Sequence, residues 1–269
     1  MTPSFKHYLV TRYNIPITEW ERDKQGQPTT DEDWLAHREK IFRTICLPSV
    51  KGQTQNNFTW ILYFDVNTPA LFLESLQKEL SALQAEIRLV KDFPSCLEDL
   101  KKTLSTADTP YVITSRLDND DGLARYFIEK VQHAFIPQDK TIISFGRGLI
   151  YDQHQSVLTK SGHYWKNHFT SLIEQPVAPD DLLTVIGFPH DNPPPMNTVR
   201  INDTGWIKLI HERNIKSRLF GRPVPFYHVA KHFNLDPEAF PVSLPQTWWY
   251  AARKTVTVFY NTMKRIVKR

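Results

Sequence analysis

Hydrophobic and polar residues alternate along the first half of the chain in a way that predicts strands and helices in turn. Residues 7 to 13 (HYLVTRY) are typical of a strand, and residues 58 to 65 (FTWILYFD) form a nearly continuous apolar run, as expected for a strand covered on both faces. Between them, apolar residues recur at helical spacing from Trp34 to Ile45. An apolar stripe from Leu73 to Leu83 predicts the next helix, and residues 86 to 90 predict a short strand.

The same alternation continues to Gly122, with a helix predicted from about residue 95 to residue 104 and a strand from Tyr111. Strands that alternate with helices usually form a parallel sheet with right-handed crossovers. The pattern therefore predicts an α/β fold with a mostly parallel central sheet and helices on both faces. The ends of the first strands should then meet at one edge of that sheet.

The second half of the chain is less regular. Residues 123 to 134 predict a helix, residues 141 to 145 a strand, residues 151 to 159 a hairpin and residues 206 to 209 a further strand. The region from residue 161 to residue 197 is rich in proline and is expected to be mostly loop.

The segment from residue 248 to residue 269 predicts a basic amphipathic helix. It contains six basic residues and no acidic residue, beside an apolar stripe. This helix could lie on a membrane or pack against its own domain, and the stripe alone does not decide between them. The stripe consists of Trp249, Ala252, Val256, Phe259, Met263 and Ile266.

Composition excludes several classes of protein. The net charge of +4 is concentrated in the last segment, which argues against a nucleic-acid-binding protein with a broad basic face. Cys46 and Cys96 lack the spacing of a zinc or redox motif. The chain has neither a secretory signal pattern nor an apolar run long enough to span a membrane, so we expect a cytoplasmic protein.

Three carboxylates lie within four positions after the strand that begins at Tyr111. Asp118, Asp120 and Asp121 would repel one another if they were buried together, unless a divalent cation lay between them. An EF-hand is excluded, since its glycine and glutamate positions hold Leu123 and Glu129. The sequence therefore predicts a site for Mg²⁺ or Mn²⁺ at a strand end.

Charged residues also end the neighbouring strands. Arg12 and Arg116 could bind the oxygens of a diphosphate held by such a cation, or could instead pair with Asp65 or another carboxylate nearby. The predicted ligand is therefore a molecule that carries a diphosphate.

Four blocks of sequence resemble the rhamnosyltransferase family, a group of bacterial glycosyltransferases of the GT-A type. The blocks span residues 9 to about 218 and read LVTRYN, LPSVKGQTQNNFTWILYFD, TSRLDNDDGLA and WIKLIHERNIKSR. The resemblance implies a GT-A, Rossmann-like fold in residues 1 to 247. Its nucleotide-binding half would be residues 1 to 122, its acceptor half residues 123 to 247, and residues 248 to 269 would form a C-terminal helical tail.

The resemblance also implies roles for particular residues. Arg12 and Asn14 would bind the nucleotide, together with Asp65 and Arg116 at the neighbouring strand ends. Asp118 and Asp120 would bind the metal and the diphosphate, His211 would complete the metal site, and Asp121 would position the sugar. The base that activates the acceptor would be Glu174, with Asp180 or Asp181 as the next candidates.

The resemblance implies the transfer of a sugar, with rhamnose the expected one, from a nucleotide diphosphate donor to a bacterial surface polysaccharide or a lipid-linked glycan. The transfer would be inverting and metal-dependent, at the inner face of the plasma membrane if the tail contacts lipid. Two alternatives remain. One is a sugar-phosphate nucleotidyltransferase, although the first strand is not followed by a glycine-rich loop, and the other is a non-catalytic glycan-binding subunit.

Overall fold

The computed structural model describes residues 4–16, 32–212, 214 and 218–253. Within these residues the strands are β1 (Phe5–Arg12), β2 (Thr59–Asp65), β3 (Ala85–Val90), β4 (Tyr111–Arg116), β5 (Asp121–Leu123), β6 (Thr141–Asp152), β7 (Val157–Ser161), β8 (Thr170–Glu174), β9 (Asn197–Ile210) and β10 (Arg222–Pro223). The helices are α1 (Glu32–Ile41), α2 (Leu47–Lys51), α3 (Ala70–Leu80), α4 (Phe93–Ser105), α5 (Phe127–His133) and α6 (Tyr227–His232). A π-helical turn, Phe42–Cys46, joins α1 to α2, and residues 244–253 are also helical.

All ten of these strands belong to one sheet. Strands β3, β2, β1 and β4 lie side by side in that order and run parallel, as the alternation of strands and helices predicts. Beyond β4 the sheet is mixed, because β8 is antiparallel to β4 and to β6, whereas β9 is parallel to β6. The predicted α/β class is confirmed, and the two predicted halves of the chain share this single sheet.

Side chains of β2 show how the sheet separates two helical layers. Trp60, Leu62 and Phe64 lie in the same apolar cluster as the buried residues of α3. Ile61 and Tyr63 point to the other face, where the buried residues of α4 pack. Alternate residues of one strand therefore contact opposite layers, which explains why its sequence is apolar at each position from Trp60 to Phe64.

Parallel pairing brings several strand ends to one edge of the sheet. β1, β2 and β4 end at Arg12, Asp65 and Arg116 respectively, and each pairs in register with its neighbour. β8 begins at this edge because it is antiparallel to β4, with Ser171 opposite Ser115. Residues that precede β8 therefore lie beside residues that follow β4.

The structure differs from the sequence pattern in the second half. The region from 161 to 197 contains β8, and the helix predicted to begin at residue 123 begins at Phe127, after the short strand β5. β9 extends well beyond the predicted residues 206 to 209. Of the predicted basic C-terminal helix, residues 248 to 253 are helical and the others lie outside the described residues. Among the described helices, none has the length and apolar character needed to cross a bilayer.

Candidate active site

The acidic loop after β4 directs its three carboxylates to two different sets of partners. Asp118 and Asp121 both lie near His168, while Asp120 contacts side chains from α1 and from the end of β9. Asp118 is half-buried, and the side chain of Asp120 is 14% exposed. The loop therefore forms two polar clusters rather than one.

Asp118 lies between the two arginines that end β1 and β4. Arg116 donates from Nε and Nη2 to the two oxygens of Asp118, at 3.1 and 3.0 Å. Arg12 Nη2 lies 3.8 Å from Asp118 Oδ1, and its guanidinium lies 5.3 Å from the centre of the Phe93 ring. Burial opposes ionisation of Asp118, but the charges of Arg116, His168 and Arg12 hold its pKa below the usual range.

The two arginines crowd each other. Burial, followed by the charge of Arg116, lowers the pKa of Arg12 to about 10, even though Asp118 acts in the opposite direction. Two guanidinium groups thus lie beside the same carboxylate at this strand edge. Arginine side chains are well suited to bind the oxygens of a phosphate group.

Asp121 and His168 form a buried pair. His168 Nε2 lies 2.7 Å from Asp121 Oδ2, and Asp121 Oδ1 accepts a hydrogen bond from the backbone N–H of Leu209 at 2.9 Å. Burial, and then the negative charges of Asp120 and Asp118, raise the pKa of Asp121. Burial lowers the pKa of His168 to about 3. The pair therefore favours its neutral form unless a positive charge lies beside it.

Asp118, Asp121 and His168 each have one potential metal-ligand atom in this cluster, and these three atoms lie within 4.8 Å of one another. Two carboxylate oxygens and one imidazole nitrogen form a donor set that suits Mn²⁺, because imidazole is a poorer ligand for Mg²⁺. The donor chemistry therefore fits a divalent cation at this position.

Asp120 is held by residues on its other side. Its Oδ2 accepts from Arg38 Nη1 at 2.6 Å, from His211 Nε2 at 3.1 Å and from Asn214 Nδ2 at 3.2 Å. The charge of Arg38 and the hydrogen bond from His211 lower the pKa of Asp120, although burial acts in the opposite direction. His211 also lies 3.3 Å from His37, between His211 Nδ1 and His37 Nε2. A cation that bound Oδ2 of Asp120 would compete with Arg38, just as one that bound Asp118 would compete with Arg116.

Asn119 lies between the two clusters. Its Nδ2 donates to the backbone carbonyl of Tyr13 at 3.0 Å, and its Oδ1 accepts from Arg38 Nη1 at 3.2 Å. The residue between the acidic positions thus ties the loop to the end of β1 and to α1.

Asn14 and Asp65 lie at the ends of β1 and β2. Asn14 accepts the backbone N–H of Asp65 at 3.1 Å and donates to Thr68 Oγ1 at 3.0 Å. Asp65 Oδ1 accepts from the backbone and side chain of Asn67. Arg12 and Arg116 both pair with Asp118. Asn14 and Asp65 therefore shape the turn beside the arginines.

The structure places Glu174, the predicted base, away from the acidic loop. This residue lies opposite Val112, four residues before Arg116, so it lies about 13 Å along the sheet from the acidic loop. Its side chain is buried, and its two oxygens accept the backbone N–H groups of Leu183 and Thr184 at 2.7 and 3.0 Å. Burial raises the pKa of Glu174, yet both oxygens are already used to hold a loop. That position does not suit a base at the acidic loop.

Asp180 and Asp181 do not join the site either. Both are exposed on a short 3₁₀ turn, Pro179–Asp181, that contacts α4. Asp181 is two residues from Leu183, whose N–H binds Glu174, so this turn belongs to the same distant end of the sheet.

Three residues of the site could not be recognised from sequence. His168 lies at the site because β8 runs antiparallel to β4. Arg38 and Asn214 bind Asp120 from distant parts of the chain. The only available signal was for His168, which immediately precedes an apolar strand-like run, FTSLI. Nothing in that run indicates its direction in the sheet.

The chain resembles several solved structures, with low sequence identity and low TM-scores. S. aureus TarS in complex with UDP-GlcNAc is 11% identical, with a TM-score of 0.41, and the match covers 77% of this chain and 59% of that one. A "putative nucleotide-diphospho-sugar transferase" from Desulfovibrio desulfuricans G20 is 10% identical, with a TM-score of 0.39 and coverages of 78% and 83%. The chain spans 37% to 60% of the length of the TarS chains. At these values no property of those proteins is transferred to this chain.

No curated protein matches the chain in sequence. A family model described as "Putative rhamnosyl transferase" matches residues 7–223, which is most of the chain. The chain therefore belongs to this family of glycosyltransferases.

Proposed function

We propose that the chain transfers a sugar, with rhamnose the expected one, from a nucleotide diphosphate donor to a bacterial surface polysaccharide or a lipid-linked glycan. The observation that carries this proposal is the convergence of Arg12, Arg116, Asp118, Asp121 and His168 at one edge of the sheet. Two arginines beside a cation-binding donor set are suited to a diphosphate. This edge is also where open α/β sheets bind ligands.

Asp118, Asp121 and His168 would hold the metal, for which the imidazole favours Mn²⁺ over Mg²⁺. A bound divalent cation neutralises charge on the departing nucleotide diphosphate. Compared with the ligands predicted from the sequence, Asp118, Asp120 and His211, this donor set has His168 in place of His211 and Asp121 in place of Asp120. Asp120 and His211, predicted as ligands, would instead support the loop, since Asp120 Oδ2 already accepts from Arg38 and Asn214.

The arginines would bind the diphosphate oxygens. Arg12 and Arg116 already share Asp118, and their guanidinium groups could donate further hydrogen bonds to an anion beside it. Asn14 and Asp65 would shape the adjoining turn that receives the nucleotide. Of the residues proposed to bind the metal or the nucleotide, only His168 lies outside the expected nucleotide-binding half, residues 1 to 122.

Activation of the acceptor needs a base close to the reacting sugar. We propose His190, because its ring lies 5.6 Å from that of His168, in the loop that follows Glu174. Burial, then the charges of Arg116 and His168, lower the pKa of His190 to about 4. Its imidazole is therefore unprotonated at neutral pH, and a developing charge on the acceptor would have to raise this pKa for efficient proton transfer.

We also propose that the enzyme works at the inner face of the plasma membrane. A lipid-linked acceptor would be found there, and the basic segment 248–269 suits an anionic surface.

A thermal-shift screen of nucleotide sugars, with and without Mn²⁺, tests the donor and the metal together. A ligand that binds only the folded protein raises its unfolding temperature. We expect one nucleotide diphosphate sugar to stabilise the protein more in the presence of Mn²⁺, and Asp118→Asn to remove that increment. A screen in which no nucleotide sugar stabilises the protein under either condition would contradict the proposal.

A further inference from the structure

A short helix near the end of the described chain leaves large apolar side chains exposed. In residues 244–253, Leu244, Trp248 and Trp249 are 69%, 74% and 53% exposed. The helix is nevertheless attached to the domain, because Tyr250 Oη donates to the carbonyl of Gly221 at 3.5 Å. The attachment uses one face of the helix, and the tryptophans lie on the other.

Four basic residues meet beside this helix, and we call them the basic cluster: Arg147, Lys160, Arg222 and Lys231. Lys160 of β7 lies directly opposite Arg222 of β10 and opposite Leu149 of β6, two residues after Arg147. Lys231 belongs to α6, whose Val229 packs in the same apolar cluster as Leu149. Four elements, β6, β7, β10 and α6, therefore direct positive charge to one place.

The charges in the basic cluster act on one another. Burial and then the charges of Arg147, Arg222 and Lys231 lower the pKa of Lys160. Burial, with Lys160 and Lys231 next, lowers the pKa of the nearby His232 to about 4. Cations that repel one another in this way favour the approach of an anion.

Residue Gly221 connects the two features. Its carbonyl accepts from Tyr250, its chain neighbour is Arg222, and a Cβ at this position would lie 2.5 Å from the carbonyl oxygen of Lys160. The exposed tryptophans and the basic cluster thus flank the same strand edge, β7 with β10.

We propose that the exposed tryptophans and the basic cluster form one face that binds the surface of an anionic lipid bilayer. Tryptophan is favoured at the boundary between lipid and water, and basic residues are attracted to anionic lipid. The six basic residues from Arg253 to Arg269, with no acid after Trp248, continue the same charge. The inference deepens the membrane contact of the proposed function by extending it to β7, β10 and α6.

Vesicle co-sedimentation of the full chain tests this face. Phosphatidylcholine vesicles are compared with vesicles that also contain phosphatidylglycerol, with neither donor nor metal present, so the result is independent of catalysis. We expect at least a tenfold stronger association with the anionic vesicles. Trp248→Ser with Trp249→Ser, and separately Arg222→Gln with Lys231→Gln, should each weaken it about tenfold. All four substituted residues are exposed.

Matched controls lie at the opposite edge of the sheet. Leu71→Ser removes an exposed apolar residue of α3, and Lys78→Gln with Lys102→Gln removes two exposed charges from α3 and α4, which contact β3. These variants should bind the anionic vesicles like the unsubstituted protein.

Two results would overturn the proposal. The first is unchanged vesicle binding in both test variants, which would assign the binding to residues 254–269 alone. The second is an absence of vesicle binding with a dimer in light scattering that the tryptophan substitutions dissolve, since the face would then bind a second copy of the chain. Neither result depends on sugar transfer, so the proposed function can stand or fail separately.

Discussion

His168 Nε2 lies 2.7 Å from Asp121 Oδ2, although 47 positions separate the two residues in the chain. The contact exists because Asp121 begins β5 beside β9, while His168 lies two residues before β8, which starts where β4 ends. β8, which runs antiparallel to β4, therefore brings a third potential ligand to the site beside the ends of the parallel strands.

The first prediction separates the two possible sets of metal ligands. His168→Gln should weaken Mn²⁺ binding at least about tenfold, because it removes a direct ligand, whereas His211→Gln should weaken it less. Isothermal titration with Mn²⁺ measures both, and His154→Gln, an exposed histidine, is the control. If His211→Gln had the larger effect, Asp118, Asp120 and His211 would be the correct set.

The second prediction concerns the pair formed by Arg38 and Asp120, whose side chains are 10% and 14% exposed. Arg38→Met leaves a carboxylate without its strongest partner, so it should lower the free energy of unfolding by about 3–5 kcal/mol. Denaturation by urea measures this change. The double variant with Asp120→Asn should lose less than the sum of the single losses.

Arg43→Met is the control for this pair, because Arg43 contacts Glu39 where both side chains are about one-third exposed. It should cost under about 1 kcal/mol. Equal losses of unfolding free energy in Arg38→Met and Arg43→Met would show that the buried pair stabilises the fold no more than the exposed pair.

The third prediction is a dependence of stability on pH at His7. Burial lowers its pKa from the ordinary 6.5 to about 3, and its ring contacts Ser115 Oγ at 2.8 Å and Gln132 Nε2 at 3.3 Å. The unfolded chain therefore binds a proton below pH 6.5 that the folded chain rejects. Stability from this residue is present above pH 6.5 and is lost as the pH falls toward 3, by up to about 1.4 kcal/mol per pH unit.

His7→Gln should consequently be less stable than the unsubstituted protein at pH 7 and should lose less stability between pH 6.5 and pH 4. Urea denaturation at several pH values provides the comparison, again with His154→Gln as the control. Identical slopes for His7→Gln and the unsubstituted protein would mean that His7 is not the group responsible.

The fourth prediction concerns Glu174, whose oxygens bind the N–H groups of Leu183 and Thr184. Glu174→Gln places an amide N–H₂ against one of these donors, so the free energy of unfolding should fall by about 1–3 kcal/mol. Its kcat, measured at a temperature where the variant is folded, should stay within about twofold. A normal stability with kcat lowered more than a hundredfold would return Glu174 to the role of base.

Features that follow from the local pattern of residues could be predicted from the sequence. Arg12, Asp65 and Arg116 could be placed at one edge because alternating strands and helices imply parallel pairing, and parallel strands end together. The apolar pattern of β2 likewise predicts a strand that is covered on both faces.

Features that depend on the direction of a strand, or on contacts between distant parts of the chain, could not be predicted. β8 could not be recognised within a proline-rich region, and its antiparallel direction brings His168 to the site while carrying Glu174 away from it. Arg38 is separated from Asp120 by 82 positions, and no local pattern marks such a contact. The proposed metal ligands and the proposed acceptor base therefore depend on tertiary pairing, which the spacing of residues in the sequence does not reveal.

The single sheet has a consequence for expressing parts of the protein. β4 is bonded on one side to β1 and on the other to β8, which comes some fifty residues later in the chain. A fragment that ends at residue 122 would keep β4 but lose β8, and would expose an apolar edge strand that can pair with other copies. We expect such a fragment to aggregate, so attempts to produce a donor-binding half on its own should retain residues up to Glu174.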